Sequence, residues 1–221
     1  MSQAGVPDRV PDLGAVVLCG GQSSRMGKPK AWLPFGGEPL LARVVRRLAE
    51  VAWPIAVVAA PGQDLPPLPE GILVARDPVT GRGPLQGIAV GLEALAPHVE
   101  RAYVSSTDVP FLHPAFVRRM AELQAGGHDI AVLREGGHHH PLAAVYRCAA
   151  AAEARALLAE DRRRPFFLFE RMRTLIAAPA LLLADARLAA ADPELRSLRN
   201  LNTPEDYAAA LTEIDADEAA G

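Results

Sequence analysis

Apolar positions along the chain fall into two alternating patterns. Short unbroken apolar runs, bounded by turn-forming residues, predict buried strands at Ala15–Cys19, Ile55–Ala60, Ile72–Ala75 and Arg101–Ser106, and later at Asp129–Leu133 and Leu142–Tyr146. Between them run segments with a helical period. In Glu38–Val51, Leu40, Leu41, Val44, Val45 and Leu48 share one side and Arg43, Arg46 and Arg47 the other. Leu85–Leu95 reads as a second amphipathic helix opened by Pro84, and Pro114–Gln124 as a third with proline in its first turn. Ala149–Glu160 and Arg164–Arg173 are predicted helical, Leu181–Ala191 helical or irregular, and Thr203–Leu211 the last helix, capped by Thr203. Pro61-Gly62 closes the second strand, and residues 61–71 form a proline- and glycine-rich loop.

Strand and helix alternate, and the strands are apolar throughout. That pattern predicts an α/β fold in three layers, a mostly parallel sheet covered by helices on both faces. In such sheets ligands bind beyond the carboxyl ends of the strands. The polar and glycine-rich segments lie there: GGQSSRMGKPK after the first strand, RDPVTGRGP after the third, TDVP after the fourth.

Bulk composition narrows the reading. A chain of 221 residues suits one large domain, and 50% hydrophobic residues supply a substantial core. Aromatics are only 5%, so Ala, Leu and Val must build that core. Net charge is −3, which argues against a nucleic-acid binder while allowing a local basic pocket for an anion. Cys19 and Cys148 belong to no metal-ligand spacing and read as reduced, buried thiols. Residues 1–12 carry Asp8, Arg9 and Asp12 and no apolar signal core, and no apolar run reaches the roughly 18 residues of a membrane span. The expectation is a soluble, cytoplasmic protein with a flexible stretch at 1–12, one domain over 13–213 and a disordered tail at 214–221.

The first loop carries the strongest chemical signal. Gly20 and Gly21 permit a sharp turn whose successive N–H groups attract anions, and Arg25, Lys28 and Lys30 follow within ten positions. The string is neither GxxxxGK[ST] nor GxGxxG. Asp77 ends the third strand and Asp108 the fourth, on the same sheet edge as this loop. Taken singly, each Asp beside Pro78 or Val109-Pro110 reads as a turn former. Two acids after successive core strands, opposite a cationic loop, fit a Mg²⁺–phosphate site, since Mg²⁺ binds through one or two carboxylates plus substrate phosphates.

The run Leu18-Cys19-Gly20-Gly21-Gln22-Ser23-Ser24-Arg25-Met26-Gly27-Lys28-Pro29-Lys30 resembles the signature loop of nucleotidyltransferases with a Rossmann-like, GT-A-like fold. With Gly83-Pro84-Leu85-Gln86-Gly87, Thr107-Asp108-Val109-Pro110, His140-Pro141 and Asn200-Leu201-Asn202-Thr203-Pro204 in the same order, the chain most resembles the molybdenum cofactor guanylyltransferase family. That resemblance implies GTP and a molybdopterin-type molybdenum cofactor as substrates, and a guanine dinucleotide cofactor and diphosphate as products, with Mg²⁺ as cofactor. It implies a nucleotide-binding N-terminal half and an acceptor-binding C-terminal half. Proteins of cofactor synthesis and molybdoenzyme maturation are the partners implied.

By the same resemblance, Leu18, Cys19, Gly20 and Gly21 line the nucleotide, Lys30 and Arg25 stabilise the phosphates, Asp77 contacts the nucleotide and Asp108 binds the metal. The family usually has Asp before the loop lysine; Pro29 stands here, and Lys28 adds a cation that shares the role of Lys30 or leaves it alone. A polar residue usual at the end of the second strand is absent, Ala59 or Ala60 standing there, so that contact is lost or made by backbone.

Four weaker signals remain. Gly81, Gly83 and Gly87 flank Pro84 in a loop that opens a helix; it is either a flexible connector or, by resemblance, a guanine or ribose contact. His138, His139 and His140 are adjacent, and strand alternation prevents all three from facing one ion; resemblance places His140 near the pterin. Arg162-Arg163-Arg164 reads as a solvated helix start, with reception of the cofactor's phosphate as the alternative. Asn200 and Asn202 either shape the turn before Pro204 or, by resemblance, reach the site. Alternatives for function are a molybdopterin cytidylyltransferase, another sugar- or metabolite-phosphate nucleotidyltransferase, and a non-catalytic module that delivers cofactor. The choice of GTP over CTP rests on resemblance alone.

Overall fold

The computed structural model describes residues 8–20, 29–79 and 81–220. In chain order its elements are β1 (Leu13–Leu18), β2 (Pro34–Phe35), β3 (Glu38–Pro39), α1 (Leu40–Ala49), β4 (Ile55–Ala59), β5 (Leu73–Arg76), α2 (Pro84–Leu95) and β6 (Arg101–Ser106). There follow α3 (Pro114–Gln124), β7 (Ile130–Glu135), β8 (His138–Arg147), α4 (Ala150–Ala159), α5 (Phe166–Arg171), β9 (Thr174–Ala177), α6 (Pro179–Leu183), α7 (Ala186–Ala191) and α8 (Pro204–Ala220).

Among the described residues the main sheet has seven strands in the order β5-β4-β1-β6-β8-β7-β9. β5, β4, β1 and β6 pair in parallel, as do β7 and β9. β8 alone runs against both of its neighbours. The expected mostly parallel α/β sandwich is what the chain adopts. Strand order and the helical layers explain the apolar strands: β1 is paired on both edges by β4 and β6, and helices cover both of its faces. Leu13, Ala15 and Val17 join the core under α1, α3, α6 and α7, while Val16 joins the opposite core under α2 and α4.

α1 buries the stripe read from its period, Leu40, Leu41, Val44, Val45 and Leu48. Its outer face ties Arg46 to Glu38 at 2.7 Å and Arg47 to Glu50 at 3.5 Å. α2 differs from expectation. It is apolar nearly all round, with Leu85 to Leu92 buried, because it is wedged between the sheet and α4. The sheet is approached so closely that a Cβ on Gly91 would lie 2.3 Å from Cγ1 of Val16.

Two hairpins and one strand were not read from the pattern. Gly36 and Gly37 have φ of 55° and 74°, and Gly136 and Gly137 have φ of 55° and 83°. Each pair closes an antiparallel ladder, β2–β3 and β7–β8. Positive φ at two successive residues is the backbone a tight hairpin needs, and glycine adopts it without strain. The first hairpin takes Glu38 and Pro39 into a strand, so the helix begins at Leu40. The second draws all three adjacent histidines into β8. Thr174–Ala177, only four residues long, becomes edge strand β9 against β7, and α5 is correspondingly shorter than expected.

At the C-terminus, α8 continues to Ala220, past the expected end at Leu211 and through most of the 214–221 segment expected to be disordered. Ala, Asp and Glu dominate that stretch and no helix breaker interrupts it before Gly221. α8 is anchored through Tyr207, Ala210, Leu211 and Ile214, which pack on Phe35 and Leu40 from the first hairpin and the start of α1. No described helix is long and apolar enough to cross a membrane.

Candidate active site

The carboxyl ends of β1, β4, β5 and β6 open on a cavity of about 840 Å³, within the roughly 300–1,000 Å³ usual for small-molecule sites. Parallel pairing puts these tips at one edge, so residues far apart in sequence meet there. Leu18, Cys19 and Gly20 come from the end of β1. Asp77 follows β5, and Gly83 and Gly87 come from the start of α2. Asp108 follows β6, Lys30 opens a 3₁₀ turn after the first loop, and Asn200 approaches from the far side.

Hydrogen bonds lock these tips together. The Cys19 amide donates to the Val58 carbonyl at 2.8 Å, and the Thr107 amide and hydroxyl both donate to the Leu18 carbonyl at 3.2 Å. Asp77 donates its amide to the Ala59 carbonyl at 2.9 Å. Its carboxylate accepts from the Val79 amide at 3.0 Å and from the buried Gln86 amide group at 3.2 Å. α2 reaches the cavity N-terminus first, with Gly83 as its cap at φ 77°, a backbone state that favours glycine.

The central contact is an ion pair. Lys30 Nζ lies 2.7 Å from Asp108 Oδ2, and both side chains are largely shielded, at 21% and 13% exposure. Ser106 donates its hydroxyl to the other oxygen, Oδ1, at 2.6 Å. The Asp108 carbonyl accepts from the Leu201 amide at 2.9 Å, which is how the Asn200 segment is drawn to the site.

The polar residue usual at the tip of the second strand is absent, Ala59 and Ala60 lining the cavity there, and a side chain from further along the loop ties the backbone behind them. Gln63 accepts from the Ala60 amide at 3.0 Å and donates to the Cys19 carbonyl at 3.1 Å. Arg76 donates to the Ala60 carbonyl at 3.1 Å and the Gln63 carbonyl at 2.7 Å. The backbone at Ala60 is thus already engaged within the protein. Burial pushes the Cys19 thiol up, outweighing hydrogen bonds from Thr107 and Gln63 and the charge of Arg76. Cys19 is therefore a neutral thiol in the cavity wall.

Of the residues singled out from sequence, Leu18, Cys19, Gly20, Lys30, Asp77, Gly83, Gly87, Asp108 and Asn200 share this one cavity. Gly21, Arg25 and Lys28 lie outside the described residues. Asn202 does not line the cavity; its amide and that of Thr203 bond the Asp206 carboxylate at 3.0 and 2.9 Å, and Thr203 returns a bond to the Asp206 amide. That is a helix cap, the other reading of this segment. His140 also lies outside the lining, with Nε2 3.9 Å from Glu135. His139 packs on Phe166 and Phe169, so the three histidines diverge as strand alternation requires. Among the described residues no group of three or more His, Cys, Asp or Glu is placed to hold a metal. Arg162 stacks on Phe167 and Arg163 pairs with Asp161, as a solvated helix start would.

Arg82, Ser106, Thr107 and Leu142 also line the cavity and were not singled out. Arg82 had a signal, a cation inside a glycine-rich loop, and Thr107 stood in the motif that carries Asp108; Ser106 and Leu142 had none, because only the folded register turns them inward. A second cavity of about 340 Å³ contains Arg43, Arg47 and Arg196. These cations pair outward with Glu38, Glu50 and Glu213, so it is the seat of an ion-pair network.

A doubly covered, mostly parallel sheet with a cationic and acidic pocket at its strand tips is an architecture suited to a nucleotide ligand, and similarity to known proteins gives the class as nucleotidyltransferase. The sequence model described as "MobA-like NTP transferase domain" matches residues 15–177, and the chain belongs to that family. It is 38% identical over 184 residues to a protein of Mycobacterium tuberculosis H37Rv named "Probable molybdenum cofactor guanylyltransferase", covering 82% of this chain and 88% of the relative. The crystal structure of molybdopterin-guanine dinucleotide biosynthesis protein A from Archaeoglobus fulgidus superposes with a TM-score of 0.72 at 23% identity, covering 92% of this chain and 99% of the other. The 2-C-methyl-D-erythritol 4-phosphate cytidylyltransferase of Thermus thermophilus shares the fold, with a TM-score of 0.62 at 18% identity over 90% of this chain and 97% of the other.

Proposed function

We propose that this protein transfers GMP from GTP to a molybdopterin-type molybdenum cofactor, forming the guanine dinucleotide cofactor and diphosphate. The observation that carries this reading is that Lys30, Asp77 and Asp108 line one cavity together with the backbone of Leu18–Gly20 and the opening of α2. The naming of the mycobacterial relative supports guanylyl transfer in particular.

Each feature has a use in that reaction. Gly20, Gly83 and Gly87 keep the cavity wall low, so that backbone can approach a nucleotide closely. The amino end of α2 and the Lys30 and Arg82 cations favour the triphosphate. Asp77, held by Gln86 and the Val79 amide, faces the nucleoside end, and Asn200 stands on the acceptor side. The carboxylate set also suits Mg²⁺. Asp108 opens on the cavity with Asp77 across it, and Mg²⁺ typically takes one or two carboxylates and completes its shell from phosphates and water. Asp108 would hold it. Bound there, the ion would neutralise developing phosphate charge.

The acceptor's phosphate oxygen attacks the α-phosphorus of GTP in line, that oxygen–phosphorus bond forms, and the α–β bridge bond breaks to release diphosphate. No protein nucleophile is required; the chain contributes positioning and charge, with Lys30 turned to the phosphates. Arg25 is assigned the same duty from its place in the loop. The residues over 13–213 serve as one working unit, the first half for the nucleotide and the second for the acceptor, and the protein acts in the cytoplasm.

The test is turnover of GTP with purified molybdopterin cofactor and mass identification of the product, alongside thermal shifts with GTP, CTP, ATP and UTP. A guanine dinucleotide product and selective stabilisation by GTP are expected. Preference for CTP, or nucleotide binding without diphosphate release in the presence of acceptor, overturns the assignment.

A further inference from the structure

The two oxygens of Asp108 are held differently. Oδ1 accepts the Ser106 hydroxyl at 2.6 Å, and Oδ2 faces Lys30 Nζ at 2.7 Å. Ser106 is buried, at 8% exposure, and is the last residue of β6, where it sits in register with Leu18 of β1. A serine has one side-chain torsion, and this one starts from a strand paired on β1, so its hydroxyl is fixed in space. Lys30 reaches Asp108 on a four-carbon stem from a short 3₁₀ turn and remains partly open to the cavity. One partner of the carboxylate is rigid and the other can leave.

We propose that Ser106 is a positioning residue, which orients the Asp108 carboxylate so that Oδ2 points into the cavity, toward a divalent cation, while Lys30 serves as its counter-ion until nucleotide arrives. This rests on the reading that Asp108 holds the metal. Lys30 then exchanges a carboxylate for a phosphate oxygen and stays paired throughout, while Ser106 keeps its bond to Oδ1. Without the hydroxyl, the carboxylate is free to rotate about its Cβ–Cγ bond, and neither oxygen is reserved for the ion. Groups that orient a metal's direct ligands typically govern about 10–100-fold in affinity.

The test is calorimetric binding of GTP, without acceptor, in EDTA and in Mn²⁺. The readout is the factor by which Mn²⁺ tightens GTP. In the wild-type protein Mn²⁺ tightens binding. Ser106→Ala reduces that factor about tenfold. Ser106→Cys keeps the volume with a poor donor, and serves where the alanine variant does not fold; it follows Ser106→Ala. Ser106→Thr keeps the hydroxyl and restores the wild-type factor. An unchanged factor in Ser106→Ala or Ser106→Cys overturns the proposal, as does an equal loss of metal-free and metal-bound affinity. Asp108→Ala separates this from the underlying reading: if it retains the Mn²⁺ effect, or the wild type shows none, then Asp108 is not the metal's ligand.

Discussion

Lys30 and Asp108 stand 78 residues apart in sequence and form a 2.7 Å contact at the mouth of the cavity. The pair joins the first loop to the tip of β6, and each residue keeps the other's charge satisfied inside a partly dehydrated site. Both take part in the proposed reaction. Asp108→Asn and Lys30→Gln should each lower kcat by about 10²–10³, the scale of losing one preorganised electrostatic contact, with thermal stability changed far less. Diphosphate release under saturating GTP and acceptor measures it; near-normal turnover in both variants would sink the proposed mechanism.

The approach of α2 to β1 makes a stability prediction that is independent of catalysis. A Cβ at Gly91 would sit 2.3 Å from Val16 Cγ1, 2.8 Å from its Cγ2 and 3.1 Å from its Cβ. Val16 is fully buried in a central strand and has no room to retreat. Gly91→Ala should therefore destabilise the fold, although alanine is the better helix former, by about 1–3 kcal/mol as for other overpacked cores. Denaturant unfolding tests it, and a stabilised variant would show that the helix stands further from the sheet.

Gln63 bridges the tips of β1 and β4 through both ends of its side-chain amide. Gln63→Ala leaves the Cys19 carbonyl and Ala60 amide without that partner and loosens the nucleotide wall. A higher KM for GTP with kcat largely kept is the expected split. Loss of kcat with KM unchanged would place Gln63 in the chemistry instead.

Cys148 is 4% exposed, and burial pushes its thiol from the ordinary 9.0 up to about 11. The folded state thus holds this proton more tightly than the unfolded chain does. Its stabilising contribution is complete below pH 9 and is lost as pH rises through about 11. Melting temperature should fall across that window, and less steeply in Cys148→Ala. Buried Tyr103 and Tyr146, raised by the same cause, add to the fall from their ordinary value of 10.0 upward in both proteins, so the comparison is the difference between the two slopes. Identical slopes for wild type and Cys148→Ala would contradict the assignment.

Much of the architecture was legible before folding. The stripe of α1, the apolar runs of β1, β4 and β6 and the proline starts of α2 and α3 are local signals, and each element adopts them. Other elements are too short for a period, or exist only through a partner strand. Thr174–Ala177 is a strand only because β7 lies beside it. The Gly36-Gly37 and Gly136-Gly137 dipeptides are themselves hairpin signals, and both pairs take positive φ in the folded chain. α2 reads as one amphipathic stripe, yet PLQGIAVGLEAL is apolar nearly all round, the composition of a helix covered on two sides, here by the sheet and α4.

The candidate site divides along the same line. The order of residues alone determined that glycines, cations and acids follow strands, because a parallel sheet sends its loops to one edge, and so Lys30, Asp77 and Asp108 could be named, whereas Asn200 follows no strand and was named by resemblance. Tertiary structure alone decided that Ser106 turns its hydroxyl to Asp108, that Gln63 bridges the backbone tips of β1 and β4, and that Asn202 serves the helix cap rather than the cavity. Those outcomes depend on strand register and on distances of a few ångströms between segments remote in the chain, and a hydrogen bond forms or fails within such distances.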